Sequence, residues 1–176
     1  MKALLSIIAS LVIVSSAHAL PTFQEVKDSY KKSDAILMDR HGKAIHELRV
    51  DSKGRRLDWI NIKDISPALI KAVIRSEDKR FYEHHGVDWM AVGSAVIKNV
   101  FVGTPRGAST ITMQLVSILD KKLKPKTSKR TLDQKWNQIN AATEMERAWT
   151  KDEIFEAYLN LITFRGELRG ISAASR

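Results

Sequence analysis

The stretch AVIRSEDKRFYEHHGVDWMA, residues 72–91, decides how the rest of the chain is interpreted. Spacings of three, four and four, which mark one face of a helix, join Ile70, Val73, Glu77 and Phe81. Glu77 therefore falls within an apolar stripe, where burial disfavours the charged form of a carboxylate and suits it to proton transfer. A structural glutamate paired with a neighbouring arginine or lysine fits the same spacing.

The composition indicates one globular domain. The chain has 176 residues, of which 44% are hydrophobic and 28% charged, so it can build a core and is not disordered by composition. It has no cysteine, which excludes disulfides, thiolate metal sites and cysteine nucleophiles. The histidines lack metal-ligand spacing, and neither a Gly-x-Ser-x-Gly elbow nor a phosphate-binding loop motif is present.

The first 19 residues have the pattern of a secretory signal peptide. Lys2 supplies a positive start, residues 3–14 are apolar, and Ala17-His18-Ala19 places small residues at a cleavage site. The apolar run is short for a membrane span. We expect cleavage before Leu20 or, alternatively, an uncleaved anchor. In either case the rest of the chain is exported, to the periplasm or the outer face of the cytoplasmic membrane.

The charge of the chain restricts its partners. The net charge is +9, and it becomes +8 without residues 1–19, which contain Lys2 and no acid. An exported basic protein favours lipid headgroups, phosphates or cell-wall polymers over nucleic acid. The basic run at 121–130 and the apolar VFV at 100–102 predict contact with an anionic membrane surface. A charge that merely aids solubility is the alternative.

Patterning predicts a lead-in followed by a mainly helical domain. We expect a loose, polar stretch at 20–33 and a β-hairpin at 35–50, which together with the chain up to residue 63 form the lead-in. The domain at 64–176 begins with Ser66-Pro67. The first three helices are predicted at 67–80, at 89–101 with Asp88 as the cap, and at 110–122 with Ser109 as the cap. The fifth is predicted at 151–162, after the capping box Thr150/Glu153. The fourth follows an apolar stripe formed by Leu132, Trp136, Ile139, Ala142, Met145 and Trp149.

Two segments outside the opening stretch could bind an anion. In RGASTITMQL, residues 106–115, small residues and a hydroxyl open a helix whose free N–H groups face outward, with Arg106 beside them. Downstream, Lys135 and Gln138 share a helix face behind a basic run, which could bind diphosphate. An ordinary capped helix and solvated lysines explain the same features.

Four segments in order resemble the motifs of the peptidoglycan glycosyltransferase (transglycosylase) family, the module of class A penicillin-binding proteins and of monofunctional cell-wall polymerases. EDKRFYEHHG matches Glu-Asp-x-x-Phe-x-x-His-x-Gly, and GASTITMQL matches Gly-Gly-Ser-Thr-Ile-Thr-Gln-Gln-Leu. KWNQINAATEME and KDEIFEAYLNLITFRGELRGISAA fit the third and fourth motifs. The resemblance implies a mainly α, lysozyme-like transglycosylase fold with a short N-terminal β-hairpin.

The resemblance also implies a reaction and a site. The family polymerises lipid II into glycan strands and releases undecaprenyl diphosphate, with the first-motif glutamate, here Glu77, as general base. A divalent cation, Mg²⁺ or Mn²⁺, is compatible with the diphosphate, although no local ligand cluster in the sequence demands one. The residues that match substrate-binding positions of the family are Asp78, Phe81, His84, Ser109, Thr110, Gln114, Arg130, Lys135 and Gln138.

The chain departs from the family pattern at several positions. The third motif, usually Arg-Lys-x-x-Glu, reads Gln134-Lys135-Trp136-Asn137-Gln138, so a glutamine replaces the second family glutamate. Glutamine forms hydrogen bonds but neither carries charge nor transfers a proton. Met113 replaces a glutamine, and Ser117 stands where a lysine often sits. These motif residues are most similar to those of the C-type penicillin-binding proteins.

The sequence leaves two other functions open. The family module continues past Gly170 with further helices, so we expect the domain to be incomplete at its C-terminus, and no Ser-x-x-Lys transpeptidase motif is present. The chain could therefore be a catalytically impaired remnant that binds glycan or lipid II. A lysozyme-like hydrolase would instead need a second acid, for which Glu144 and Glu146 are the candidates on the fourth helix.

Overall fold

The computed structural model describes residues 20–52, 54–101, 109–123 and 132–175. It confirms the mainly helical fold with an N-terminal hairpin. Short 3₁₀ turns lie at Ile62–Asp64 and Lys121–Leu123. The strands are β1 (Asp34–Met38), β2 (Ala44–Arg49), β3 (Arg55–Arg56) and β4 (Leu168–Arg169), and the helices are α1 (Phe23–Ser29), α2 (Pro67–Glu77), α3 (Trp89–Phe101), α4 (Ile111–Leu119), α5 (Leu132–Ala148), α6 (Lys151–Leu161) and α7 (Ile171–Ala174).

Helix α4 lies at the centre of the core. Its sequence, ITMQLVSIL, is apolar on nearly every side, and it packs against both α5 and α6. A helix that is hydrophobic around most of its circumference has to be buried on several sides. The side chains with no exposed surface around it include Met113, Leu115, Met145, Phe155 and Leu159. The two segments that could bind an anion therefore border the most buried helix of the core.

The hairpin forms as predicted. β1 and β2 pair antiparallel, with Asp34 opposite Arg49 and Met38 opposite Ala44. Gly42 turns the chain with a φ of 78°, a conformation that side chains rarely adopt. A second, unpredicted pairing joins β3 to β4 in parallel, which ties the lead-in to the end of the domain.

The prediction of a loose lead-in is wrong. Helix α1 starts with a capping box in which Thr22 accepts a hydrogen bond from the Glu25 amide, and Glu25 accepts one from the Thr22 amide at 2.7 Å. Phe23 then packs edge-on against Trp59 and Trp149, with ring centroids 6.2 and 5.5 Å apart. The aromatic partners lie far along the chain, so the local polar pattern did not reveal them.

A buried glutamate fastens α6 to the lead-in. Glu156 accepts hydrogen bonds from the Lys27 ammonium at 2.9 Å, the Trp59 indole at 2.7 Å and the Ile62 amide at 2.8 Å. Burial alone would raise the pKa of Glu156, but these donors outweigh it and hold the pKa below its ordinary value. The carboxylate is thus a fold anchor, and nothing in the sequence patterning singled it out.

The helix boundaries differ from the predictions in specific ways. α2 ends at Glu77, three residues earlier than predicted, because Asp78 leaves the helix with φ −156° and ψ 81°. α4 begins after Thr110, which is the N-cap instead of Ser109, and it ends at Leu119. The predicted caps at Asp88 and Thr150 are confirmed, because each side chain accepts a backbone N–H of the first helical turn.

The predicted stripe of the fourth helix is only partly buried. Ala142 and Met145 have no exposed surface, and Trp149 is 5% exposed at the end of α5. Trp136, in contrast, is 60% exposed and lies outside the core.

Across the described residues, no helix is both long and apolar enough to cross a membrane. The predicted signal segment, residues 1–19, lies outside the described residues.

Candidate active site

Glu77 is the last residue of α2, and its side chain is exposed. The predicted face of α2 is half-buried at Ile70 and Val73, which pack against the core, but the expectation that Glu77 shares this burial is wrong, and the helix ends before Phe81. Its carboxylate Oε2 accepts a 3.2 Å hydrogen bond from the side-chain amide Nε2 of Gln114 on α4. Glu77 is thus a solvent-accessible carboxylate held by a residue of the rigid core.

The next residue, Asp78, turns inward and joins two motifs. Its buried carboxylate accepts the N–H of Ile111, the first residue of α4, at 3.0 Å. Both carboxylate oxygens lie 3.0 Å from Nε2 of His84. A charged hydrogen bond at a helix N-terminus is favourable because the free N–H groups there carry partial positive charge. Asp78 therefore fixes the start of α4 directly behind Glu77.

His84 and Phe81 lie on the interior side of Asp78 and support its position. The His84 Nδ1 is buried and has no hydrogen-bond partner among the described residues, which is least costly when the proton is on Nε2, facing Asp78. Phe81 is fully buried and packs on Phe155 at a centroid distance of 5.7 Å. Both residues thus support the site from the interior, Phe81 through packing and His84 through its contact with Asp78.

Gly86 and Thr110 form a tight junction between the first two motifs. The Thr110 hydroxyl donates to the Gly86 carbonyl at 2.6 Å and accepts from the Met113 amide at 3.2 Å. Gly86 has a φ of 89°, and a Cβ there would lie 2.8 Å from the Ala142 backbone carbonyl. Only glycine fits this position. Thr110 is buried, so its side chain braces this junction.

A second cluster places a cation on the other side of α4. The Lys135 ammonium lies 3.1 Å from the Ser109 hydroxyl and 3.3 Å from Oε1 of Gln138. Gln138 is completely buried, and its Nε2 donates to the Met113 carbonyl at 2.5 Å and to the Ser117 hydroxyl at 2.7 Å. Gln138 is therefore a satisfied part of the core that also orients Lys135.

The structure brings the predicted residues together around α4. One cluster, with Glu77, reaches α4 at Gln114, and the other, with Lys135 and Gln138, reaches it at the adjacent Met113. Arg130, the remaining predicted residue, lies outside the described part of the chain. The arrangement offers an exposed carboxylate and a half-buried ammonium anchored on consecutive residues of one rigid helix.

A buried network that the sequence did not reveal locks the same region. Oε1 of Glu146 accepts the Thr112 hydroxyl at 2.5 Å and the Lys151 ammonium at 2.8 Å. Lys151 also donates to the His84 carbonyl at 2.6 Å and lies 4.5 Å above the Phe81 ring. The Glu146 side chain is 3% exposed, so this candidate second acid is committed to structure.

Comparison with known proteins identifies the family of the chain. A family model described as transglycosylase matches residues 41–176. The chain belongs to the transglycosylase family. Over 93% of its length it is 36% identical to penicillin-binding protein 1A/1B of Bacillus subtilis (strain 168), and this alignment covers 17% of that relative. The chain thus spans less than a fifth of this curated relative.

Other relatives match a shorter part of this transglycosylase-family chain. It is 41% identical to penicillin-binding protein 1A of Escherichia coli (strain K12) over 66% of the chain and 13% of the relative. It is 40% identical to a biosynthetic peptidoglycan transglycosylase of Rhodospirillum centenum over 67% of the chain and 49% of the relative. The finer resemblance to the C-type penicillin-binding proteins stays a prediction.

The described part of this family member does not form a protein-held metal site. Among residues 20–52, 54–101, 109–123 and 132–175, no three His, Asp or Glu side chains are grouped as ligands for an ion. Divalent cations such as Mg²⁺ are bound through several oxygen ligands. Because Mg²⁺ is often held by only one or two carboxylates together with substrate phosphates, a divalent cation bound through the diphosphate stays a prediction.

Proposed function

We propose that the chain is a peptidoglycan glycosyltransferase that elongates glycan strands from lipid II and releases undecaprenyl diphosphate in cell-wall biosynthesis. Membership of the transglycosylase family and relatives named as peptidoglycan transglycosylase support this reaction class. The single observation that carries the proposal is the exposed Glu77 carboxylate, held by Gln114 at the end of α2.

In the proposed reaction, Glu77 acts as general base. It takes the proton of the 4-hydroxyl of the acceptor sugar, whose oxygen forms a bond to the anomeric carbon of the donor. The bond from that carbon to the diphosphate oxygen breaks, and its electron pair leaves with undecaprenyl diphosphate. An exposed carboxylate can reach a substrate hydroxyl directly, which a buried one could not.

Lys135 is the proposed partner of the leaving diphosphate. Negative charge develops on the diphosphate as the anomeric bond breaks, and a preorganised cation stabilises that charge. The Lys135 ammonium is preorganised by Ser109 and Gln138. Arg130 matches a second basic position of the family and is proposed to act beside it.

The location of the reaction is part of the proposal. We propose that residues 1–19 direct export and that the domain works at the outer face of the cytoplasmic membrane, against anionic lipid. Binding to vesicles that contain anionic lipid should weaken as salt rises, because exposed charges are screened over about 10 Å at 0.1 M. Binding insensitive to both salt and lipid charge would contradict the electrostatic part.

The decisive experiment offers the chain two substrates. Labelled lipid II should yield polymer, while finished sacculi should release no soluble fragments. Glu77→Gln should lower polymerisation on the order of 10²–10⁴-fold and leave lipid II binding intact. Glu83→Gln is the matched control, because Glu83 is also exposed and belongs to the same segment.

Each outcome assigns one of the functions. Polymer that disappears with Glu77→Gln supports the glycosyltransferase. Binding of lipid II without turnover would indicate a remnant that has lost the chemistry, and fragments released from sacculi would indicate a hydrolase. A Glu77→Gln variant within a fewfold of the parent would refute the assignment of the base.

A further inference from the structure

A three-residue chain of hydrogen bonds ends at Glu77 and begins deep in the core. The hydroxyl of Tyr158 on α6 donates to Oε1 of Gln114 on α4 at 3.2 Å. The Nε2 of Gln114 in turn donates to Oε2 of Glu77 at 3.2 Å. Tyr158 is 1% exposed, Gln114 is half-buried, and Glu77 is exposed. Three helices therefore meet at this chain, which runs from the interior to the surface.

The direction of these hydrogen bonds depends on how the side-chain amide of Gln114 is oriented between Tyr158 and Glu77. A glutamine amide has an acceptor oxygen and a donor nitrogen, and it can rotate to exchange them. With Oε1 toward the Tyr158 hydroxyl, Nε2 points to Glu77. If the amide rotated, its oxygen would face the carboxylate, and two acceptors would oppose one another. The carboxylate can only accept, whereas the Tyr158 hydroxyl can donate or accept, so a hydroxyl that donates to Oε1 reinforces the orientation in which Nε2 donates to Glu77.

Tyr158 is suited to remain a hydrogen-bond donor. Burial raises the pKa of Tyr158, and the nearby carboxylates of Glu77 and Asp78 raise it further. The phenol therefore keeps its proton throughout the pH range in which a carboxylate can serve as a base. Its ring is packed in the core, so the position of the hydroxyl is also constant.

We infer that Tyr158 is a positioning residue for Glu77, which acts through Gln114: its hydrogen bond holds the Gln114 side-chain amide in the orientation that donates to the Glu77 carboxylate at the end of α2. The inference deepens the proposed function, since it assumes that Glu77 is the base of that reaction. Tyr158 touches no substrate and moves no proton. Its role is to keep an exposed, otherwise rotatable carboxylate in one place.

The first test does not depend on activity. In protein labelled with ¹⁵N at glutamine side chains, the amide signals of Gln114 should shift as Glu77 titrates, and Glu77→Gln should abolish that shift. Tyr158→Phe removes only the hydroxyl and should at least halve the shift. Tyr30→Phe is the matched control, because the Tyr30 hydroxyl donates to the Leu57 carbonyl at 3.0 Å, outside this chain of bonds. An unchanged Gln114 titration in Tyr158→Phe would overturn the inference.

The second test measures polymerisation of lipid II across pH. Tyr158→Phe should lower kcat on the order of 3–10-fold, the cost of one hydrogen bond, with KM unchanged. The acidic limb of the pH profile should move to higher pH, because the ionised form of Glu77 loses a preorganised donor. Tyr30→Phe should leave the limb in place. A wild-type kcat and pH profile in Tyr158→Phe would contradict the inference.

A double variant separates positioning from general damage to the fold. Gln114→Leu removes both hydrogen bonds, so adding Tyr158→Phe to it should cost nothing further in kcat, whereas independent effects would multiply. Multiplicative losses would overturn the inference even if each single variant were folded. If the parent makes no polymer, the proposed function fails, and the Gln114 titration still decides the role of Tyr158.

Discussion

The side-chain amide of Gln138 donates a 2.7 Å hydrogen bond to the hydroxyl of Ser117. Each residue by itself departs from the transglycosylase pattern, where a glutamate and often a lysine occupy these positions. Their contact shows that the two departures form one neutral pair on facing sides of α4 and α5. Because Gln138 is fully buried and also donates to the Met113 carbonyl, the pair is a satisfied replacement within the core.

This pairing predicts coupled effects on stability. Gln138→Glu should cost about 1–3 kcal/mol, because it replaces a donor to the Met113 carbonyl with a second acceptor in a buried position. Ser117→Lys should also destabilise, since it buries a charge. The double variant brings a carboxylate and an ammonium together as an ion pair. Its loss of unfolding free energy should therefore be smaller than the sum of the two single losses by about 1 kcal/mol or more. Chemical denaturation measures all three, and strictly additive losses would show that the positions are independent.

The neutral pair also bears on Lys135. With an amide at position 138, the ammonium keeps a 3.3 Å hydrogen bond to Oε1 of Gln138. If Lys135 stabilises the leaving diphosphate, Lys135→Gln should lower kcat/KM on the order of 10²-fold, as expected for loss of one preorganised group at the developing charge. Lys71→Gln, an exposed lysine of α2, is the control. Polymerisation by Lys135→Gln within threefold of the parent would exclude this role.

The motif residues were accessible to sequence reasoning because their order and spacing along the chain carry the information. The hairpin and the caps at Asp88 and Thr150 followed from local patterns. The position of Glu77 did not, because the helical period runs on through Phe81 in the sequence. Asp78 instead leaves the helix and accepts the Ile111 amide of α4, and Glu77 is left exposed at the end of α2.

Contacts between distant parts of the chain were beyond such reasoning. The bonds from Glu156 to Lys27 and Trp59 span 129 and 97 residues. The bond from Tyr158 to Gln114 spans 44 residues. In the sequence these side chains look like ordinary members of helix α6, since periodicity reports the face of a helix and not its partners.

Gly86 should be intolerant of even the smallest side chain. Gly86→Ala would force a Cβ to within 2.8 Å of the Ala142 carbonyl at a φ of 89°, so it should cost at least roughly 2 kcal/mol through overpacking and backbone strain. It should also move Thr110, which donates to the Gly86 carbonyl, and with it the start of α4. Thermal unfolding measures the first effect, and polymerisation the second.

A matched glycine supplies the control. Gly93 lies within α3, and a Cβ there would meet nothing within 4 Å. Gly93→Ala should therefore stabilise the protein by up to about 1 kcal/mol, because alanine is the better helix former. Equal thermal shifts for the two variants would mean that the close approach at Gly86 is not what constrains that residue.

The anchor at Glu156 should make stability depend on acid. The folded-state pKa of Glu156 lies below its ordinary value, and that of Asp88 is lowered too, since donors from Arg80 and the Ala91 amide outweigh the effect of burial. For a group whose folded pKa is depressed, the stabilisation is fully present above the unfolded value, about 4.3 for glutamate, and is lost as pH falls through the folded value. The free energy of unfolding should accordingly fall as the pH drops below about 4.3, the unfolded value of glutamate.

Glu156→Gln should remove part of this pH dependence and lower stability at neutral pH by about 1–3 kcal/mol. The amide oxygen can keep the donors Lys27 and Trp59, but the amide nitrogen then faces the Ile62 N–H, donor against donor, and Lys27 loses its counter-charge. Urea unfolding at pH 7 and pH 4 measures both effects. Glu144→Gln, an exposed change on α5, should stay within about 0.5 kcal/mol of the parent at both pH values. A Glu156→Gln variant with the parent's stability at pH 7 would show that the three donors do not anchor α6.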